Sequence, residues 1–340
     1  MTYLDDQLTD VRDRTEASPG PLGEARLRLA TVRSAAGSFE GSLRTYRSGS
    51  LATHLMNDPV SDGDGGLVLD RRKYPALGPE GGGELPEQVA ADLCAHIGPT
   101  IRIDYPNAKV HTSKRGPKIH FGQEVDGQNP TVDLVVALTR RDGDGLWIPN
   151  LTKNRWEPSD PEGHLELLNS GAIAARRTRR RITRLAKTWN GQFEKPGASS
   201  FQLGVWALEF VTPRLGIAKG LWTLFDSAAT RLEADEPTPD PAGVSEDLKL
   251  QHGVTVTAMA KRLRTAADHL RTALDSPDGT EVVHTELAQV FWKYLDAPTS
   301  NGLKAATGVL KVGAPLLAAA VGVSVAAASD PRRRSFGGDR

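Results

Sequence analysis

Cysteine is almost missing from this chain: Cys94 is the only one in 340 residues. That excludes an intramolecular disulfide and any cysteine-based zinc site, and it accords with a reducing, cytoplasmic setting. Excess charge of either sign is missing too, with 42 Lys and Arg against 42 Asp and Glu. No global basic field demands nucleic acid, so no stable nucleic-acid partner is expected. The opening residues MTYLDDQLTD are acidic and hold no apolar run, so no signal peptide is expected. Only Val312 to Ser329 is free of charge for the length of a membrane span. That run is mostly Ala and Gly, contains Pro315 and has two leucines. It reads as a buried or surface-docked helix ahead of a basic tail, with a membrane-contacting helix as the alternative. The remaining composition, 39% apolar and 25% charged, is that of an ordinary soluble protein, and the length suits two domains or one bilobal unit.

What is present concentrates in Gly49 to Asp70, GSLATHLMNDPVSDGDGGLVLD. Gly49 and Ser50 read as a tight turn opening a helix, whose free N–H groups suit a phosphate. Asp62 and Asp64 are two apart, which on an extended chain puts both carboxylates on one face. Such a pair beside a phosphate cradle makes a divalent-cation site. A DGDGG run alone is also what solvated turns are made of. An EF-hand loop starting at Asp62 is excluded by Gly66, Leu67 and Lys73 at its fifth, sixth and twelfth positions. A dinucleotide fingerprint is excluded by Val68, which stands where a glycine is needed. The metal reading gains from Asp133, set in the β-rich run TVDLVVAL, where a charge is costly unless paired or metal-bound.

The pattern of Gly-Ser, eleven residues, Asp-x-Asp and then a strand carrying Asp133 resembles the polymerase-β-type nucleotidyltransferases. Within them it resembles the CD-NTases, the cGAS-like and oligoadenylate-synthase-like bacterial enzymes. LWIPNLTKNRWEPSDPEGH, Leu146 to His164, is similar to the family's segment after the third aspartate. RLAKTWN followed by PGASSFQL is similar to its second lobe. The likeness runs from about residue 40 to about 300.

The resemblance implies an α+β, bilobal fold: a polymerase-β-like nucleotidyltransferase core with a mixed sheet over 1–165, a helical second lobe over 166–300, and an Ala/Gly-rich segment with a basic tail over 301–340. It implies a cyclic di- or oligonucleotide synthase in antiphage signalling, with nucleoside triphosphates as substrates and a downstream effector that responds to the product. Asp62, Asp64 and Asp133 would hold two Mg²⁺ ions, with Mn²⁺ an alternative. Gly49 and Ser50 would hold the triphosphate, joined by Lys187 and Ser200, and Phe201 would stack on a base. Lys187 as an exposed helix cation and Phe201 as a core aromatic are equally open. A linear nucleotidyltransferase acting on RNA or protein, and a catalytically inactive nucleotide-binding module, are the alternatives. Conjugation through the C-terminus, which some CD-NTases undergo, is left open by an ending that does not stop on glycine.

Along the chain, residues 1–40 read as helix broken at Ser18 to Pro21, with Leu27, Leu29, Val32 and Phe39 on one side. Pro86 to Ile97 reads as a helix, Val110 to Phe121 as a hairpin, and Asp142 to Gly145 as a turn before a return edge. Leu165 to Trp189 reads as one long helix and Ser200 to Phe225 as a core helix. The run Arg176 to Arg181, RRTRRR, reads as a solvated basic face, with an anion-attracting role as the alternative. His120 and His164 read as structural, Ser159 or Asp160 as the cap of the next helix, and Trp156 and Trp189 as packing residues.

Overall fold

The computed structural model describes residues 2–296. The expectations for the Ala/Gly-rich segment and the basic tail lie outside them. The chain opens on two helices, α1 (Tyr3–Arg14) and α2 (Pro19–Gly37). The break between them follows from Pro19 and Pro21, which cannot donate into a preceding helix. The two helices serve different cores. Leu4, Leu8 and Val11 of α1 join the core of the later helices, whereas Ala25, Leu29 and Val32 of α2 pack on the sheet.

Leu27 is not on the buried side of α2; it is 56% exposed, and Arg28 is fully buried instead. A buried guanidinium is tolerable when its donors are satisfied and its plane is covered. Arg28 meets both conditions, bonding Glu24, the Asn129 side chain and the carbonyls of Pro130 and Gln123, over the Phe121 ring at 4.6 Å.

The α/β part continues through β1 (Ser42–Ser48), α3 (Gly49–Thr53), β2 (Asp62–Leu69), α4 (Glu87–Asp104), β3 (Lys109–Thr112), β4 (Pro117–His120), β5 (Thr131–Thr139), β6 (Leu146–Asn150) and β7 (Arg155–Ser159). The expected hairpin and return edge are there, and α4 runs on past Ile97 through Pro99. The sheet order is β1-β2-β5-β4-β3, with β6 on the far end of β5 and β7 beyond it. Only β2 and β5 run parallel, so the sheet is mixed.

Alternation along these strands decides where the charges go. Leu67 and Leu69 of β2, and Val132, Leu134, Val136 and Leu138 of β5, face the core with α2 and α4. Val68 and Ala137 face the other way, into a small cluster with Tyr46, Leu146 and Ile148. Asp62, Asp64 and Asp133 share the parity of that second, thinly covered face. Gly66 is needed there, because a Cβ would lie 2.1 Å from the Tyr46 ring.

The helical part comprises α5 (Pro161–Leu168), α6 (Ile173–Gly191), α7 (Ser200–Phe210), α8 (Ile217–Glu233), α9 (Val256–Asp275) and α10 (Glu281–Val290). The Asp160 side chain caps α5 by accepting from Gly163 N. Two helices expected to be continuous are broken. Residues 169–172 interrupt the first, where Gly171 takes φ +84°. Residues 211–216 interrupt the second, where Pro213 has no N–H to continue the helix, Arg214 takes φ +78° and Gly216 caps the start of α8. Ile182, Leu185, Ala186 and Trp189 form the buried stripe of α6. The basic run on its other side is only partly a solvated face. Arg176 donates to Asn169 O at 3.2 Å, Arg179 to Ser170 O, and Arg180 to the Asn169 side chain at 2.7 Å. These cations therefore close the carbonyl end of α5.

Candidate active site

The parallel pairing of β2 with β5 sets Asp64 opposite Asp133 and Asp62 opposite Thr131. With side chains alternating, the three carboxylates converge, each offering an oxygen within 4.8 Å of the others, all half-buried. Among the described residues this is the one group of three or more His, Cys, Asp or Glu so arranged. Burial first, then the charges of Asp62 and Asp133, push Asp64 up to about 7. Lys118 tempers the repulsion: β4 pairs Lys118 with Asp133, and its Nζ donates to Asp133 Oδ2 at 2.7 Å. Ser61 Oγ donates to Asp62 Oδ1 at 2.8 Å. Oxygen donors held together against their own repulsion could hold a hard metal cation.

Gly49 follows Ser48, which pairs directly with Asp64 across β1 and β2. It takes φ +66°, and a Cβ there would stand 1.8 Å from Asp64 Oδ2. Only glycine lets the carboxylate lie against the start of α3. That helix has five residues, too short for the dipole expected of it, so positive charge must come from side chains. Lys187 supplies it from α6, donating to Ser50 Oγ at 3.1 Å and to Leu55 O at 2.6 Å. Lys187 is not an exposed helix cation. Burial pulls it down to about 8, against the opposing attraction of Asp62 and Asp64.

Gly49, Ser50, Asp62, Asp64 and Lys187 line a cavity of about 590 Å³, closed across from them by His164, Ser200 and Phe201. The Phe201 ring is half-buried and lies 4.7 Å from His164 at 46°. Ser200 begins α7 and lines the cavity beside Ser199, whose side chain makes the cap by accepting from Gln202 N. All eight residues singled out in the sequence thus gather here, Asp133 through its contact with the other two carboxylates.

Sequence reasoning missed Lys118, whose place depends on strand register. It also missed what holds His164. Burial would raise Asp240, but the N–H groups of Ser245 and Val244, and then His164, outweigh it and keep the carboxyl below its ordinary range. The ionised Asp240 accepts from His164 Nε2, fixing the ring that faces the cavity. His120 stays outside the cavity, stacked on His111 at 5.3 Å.

The mixed sheet, backed by helices and followed by a helical core, has the fold of solved CD-NTases. The *Bradyrhizobium diazoefficiens* CD-NTase CdnG, solved in complex with GTP, matches with TM-score 0.64 and 17% identity, over 89% of this chain and 98% of that one. CdnC of *E. coli* MS115-1, solved with ATP, matches with TM-score 0.60 and 15% identity, over 87% and 99%. The *Elizabethkingia meningoseptica* CdnE cyclic dinucleotide synthase, solved with GTP and Apcpp, matches with TM-score 0.56 and 14% identity, over 78% and 98%. No protein-family model and no curated protein matches this sequence.

Proposed function

We propose that this chain is a divalent-metal-dependent nucleotidyltransferase that joins nucleoside triphosphates into a cyclic di- or oligonucleotide. The observation that carries this reading is the convergence of Asp62, Asp64 and Asp133 beside a cavity that also holds Ser50 and Lys187. It is supported by the likeness of fold to CdnE, a cyclic dinucleotide synthase. The product class suggests a cytoplasmic signal generator in antiphage defence, acting through an effector that binds the product. In this reading the sheet and its flanking helices over 1–165 form the transfer core and 166–300 the second lobe, with α1 contributing to the latter's packing.

Mg²⁺, held by the three carboxylates, would neutralise phosphate charge and favour the ionised form of the attacking hydroxyl. Ser50 and Lys187 bind and orient the triphosphate tail, so the α-phosphorus faces the carboxylates. Phe201, backed by His164, offers its ring to a nucleobase, and Ser200 a hydroxyl to the second lobe's side of the nucleotide. Lys118 holds Asp133 in place when no metal competes for it.

Incubating the protein with Mg²⁺ and pairs of labelled nucleoside triphosphates, then phosphatase, should leave a labelled resistant product. A product destroyed by phosphatase would point to linear transfer, and no product at all to a nucleotide-binding module. Ser50→Ala with Lys187→Ala should weaken binding of a non-hydrolysable triphosphate about 10- to 100-fold by calorimetry, as loss of charge-assisted hydrogen bonds predicts. A small fall in melting temperature should accompany it, because Leu55 O loses its donor. Unchanged affinity would remove both residues from the site.

A further inference from the structure

The far side of α3 carries a second feature. Gly49, Ser50 and Thr53 line the nucleotide cavity, whereas Leu51 and His54 line two smaller hollows of about 170 and 190 Å³. The hollows share Arg26, Leu51 and His54, so they form one groove. Arg33 and Arg47 extend it at one end and Arg184 at the other. Arg180 lies close enough, with Arg26 and Arg47, to depress His54 beyond what burial does.

Little among the described residues answers this charge. Glu16 pairs with Arg184, but among the described residues Arg26, Arg33, Arg47 and Arg180 have no carboxylate partner. Among the described residues, Arg33 Nε and Arg184 Nη2 in the groove, and Arg180 Nε beyond it, are buried donors with no acceptor. Arginines gathered from α2, β1 and α6 repel one another, in a chain whose net charge is zero. Arg26 and Arg47 are exposed at the lip. Among the described residues no Phe, Tyr or Trp lines either hollow, so they offer no platform on which a run of bases would stack.

We propose that this groove is a second anion site, separate from the nucleotide cavity, that takes a linear oligophosphate across Arg26, Arg47 and Arg33. Guanidinium forks match phosphate oxygens in pairs, and among the three arginines Arg33 also holds an unpaired Nε beside the groove. A single turn of helix separates the two sites, so the occupant of one touches the same element as the occupant of the other. The site rests on residues outside the three carboxylates and does not depend on the reaction proposed above.

Inorganic tripolyphosphate is the probe, titrated into the full-length protein in metal-free buffer. In the Ser50→Ala/Lys187→Ala background, which disables the nucleotide cavity, one tripolyphosphate should still bind and should shift the His54 ring resonances. Adding Arg26→Gln and Arg47→Gln should weaken that binding at least about tenfold and abolish the His54 shift, with the melting temperature unchanged because both side chains are exposed. Affinity that survives the arginine substitutions, or binding without a His54 shift, would overturn the proposal. A twenty-base-pair RNA duplex that binds more tightly than tripolyphosphate through the same arginines would overturn it in favour of a nucleic-acid surface.

Discussion

Asp62→Asn with Asp64→Asn should give a chain that makes no product above background yet melts higher than the wild type in metal-free buffer at pH 8. Both halves follow from one fact: the carboxylates are held together at a cost. Asp64 stands at about 7 in the folded chain against an ordinary 3.8. Between those values the folded state binds more protons than the unfolded, so stability falls as pH rises through the window. A displacement of that size corresponds to on the order of 4 kcal/mol above pH 7, part of it offset by Lys118 and Lys187. Asn removes the charge and the penalty, and should raise the melting temperature by a few degrees, roughly. Mg²⁺ relieves the same repulsion, so it should stabilise the wild type and leave the double variant unmoved. Thermal melts at pH 5 and pH 8, with and without Mg²⁺, check the sign. Product made by the double variant would end the nucleotidyltransferase assignment.

Gly49→Ala should be nearly as damaging to synthesis, although it adds one methyl group and removes nothing. The added carbon would stand 1.8 Å from Asp64 Oδ2 and 2.7 Å from its Cγ, at a backbone angle of +66°. The left-handed conformation alone costs an alanine about 1 kcal/mol. Relieving the overlap must move Asp64 by more than an ångström, and displacement on that scale costs about 100-fold in rate. The expected result is a product yield down about 100-fold and a lower melting temperature. Gly23→Ala is the control, since it lies within α2 with nothing within 4 Å of the new methyl. It should match wild type in activity and gain about 0.5–1 kcal/mol in stability.

The carboxylate centre was legible in the sequence because its cause is local. A two-residue spacing on a strand fixes a face, and an aspartate inside TVDLVVAL has few other reasons to be there. What escaped depends on contacts distant in sequence. Lys118 meets Asp133 through the register of β4, and His164 meets Asp240 across 76 residues. Arg28 looks like a surface charge until the carbonyls of Gln123 and Pro130 and the Phe121 ring close around it. The two helix breaks were read through because hydrophobic spacing resumes on either side of each, while Gly171 and Pro213 act only on backbone geometry. RRTRRR looked like solvent-facing charge, since the α5 carbonyls it closes become available only once that helix ends at Leu168.

The parallel pairing of β2 with β5 also bears on how the site comes into being. Every other pair in the sheet is antiparallel, and the β3–β4 hairpin can form from neighbours in the chain, whereas β2 must wait for α4 and that hairpin to be made before β5 reaches it. Closing so long a connection is slow and goes unrewarded until the strands meet. The aspartates are therefore brought together by the least local pairing of the sheet. A nascent chain leaving the ribosome before β5 carries no assembled carboxylate centre, and one leaving before α6 has no Lys187 to face it.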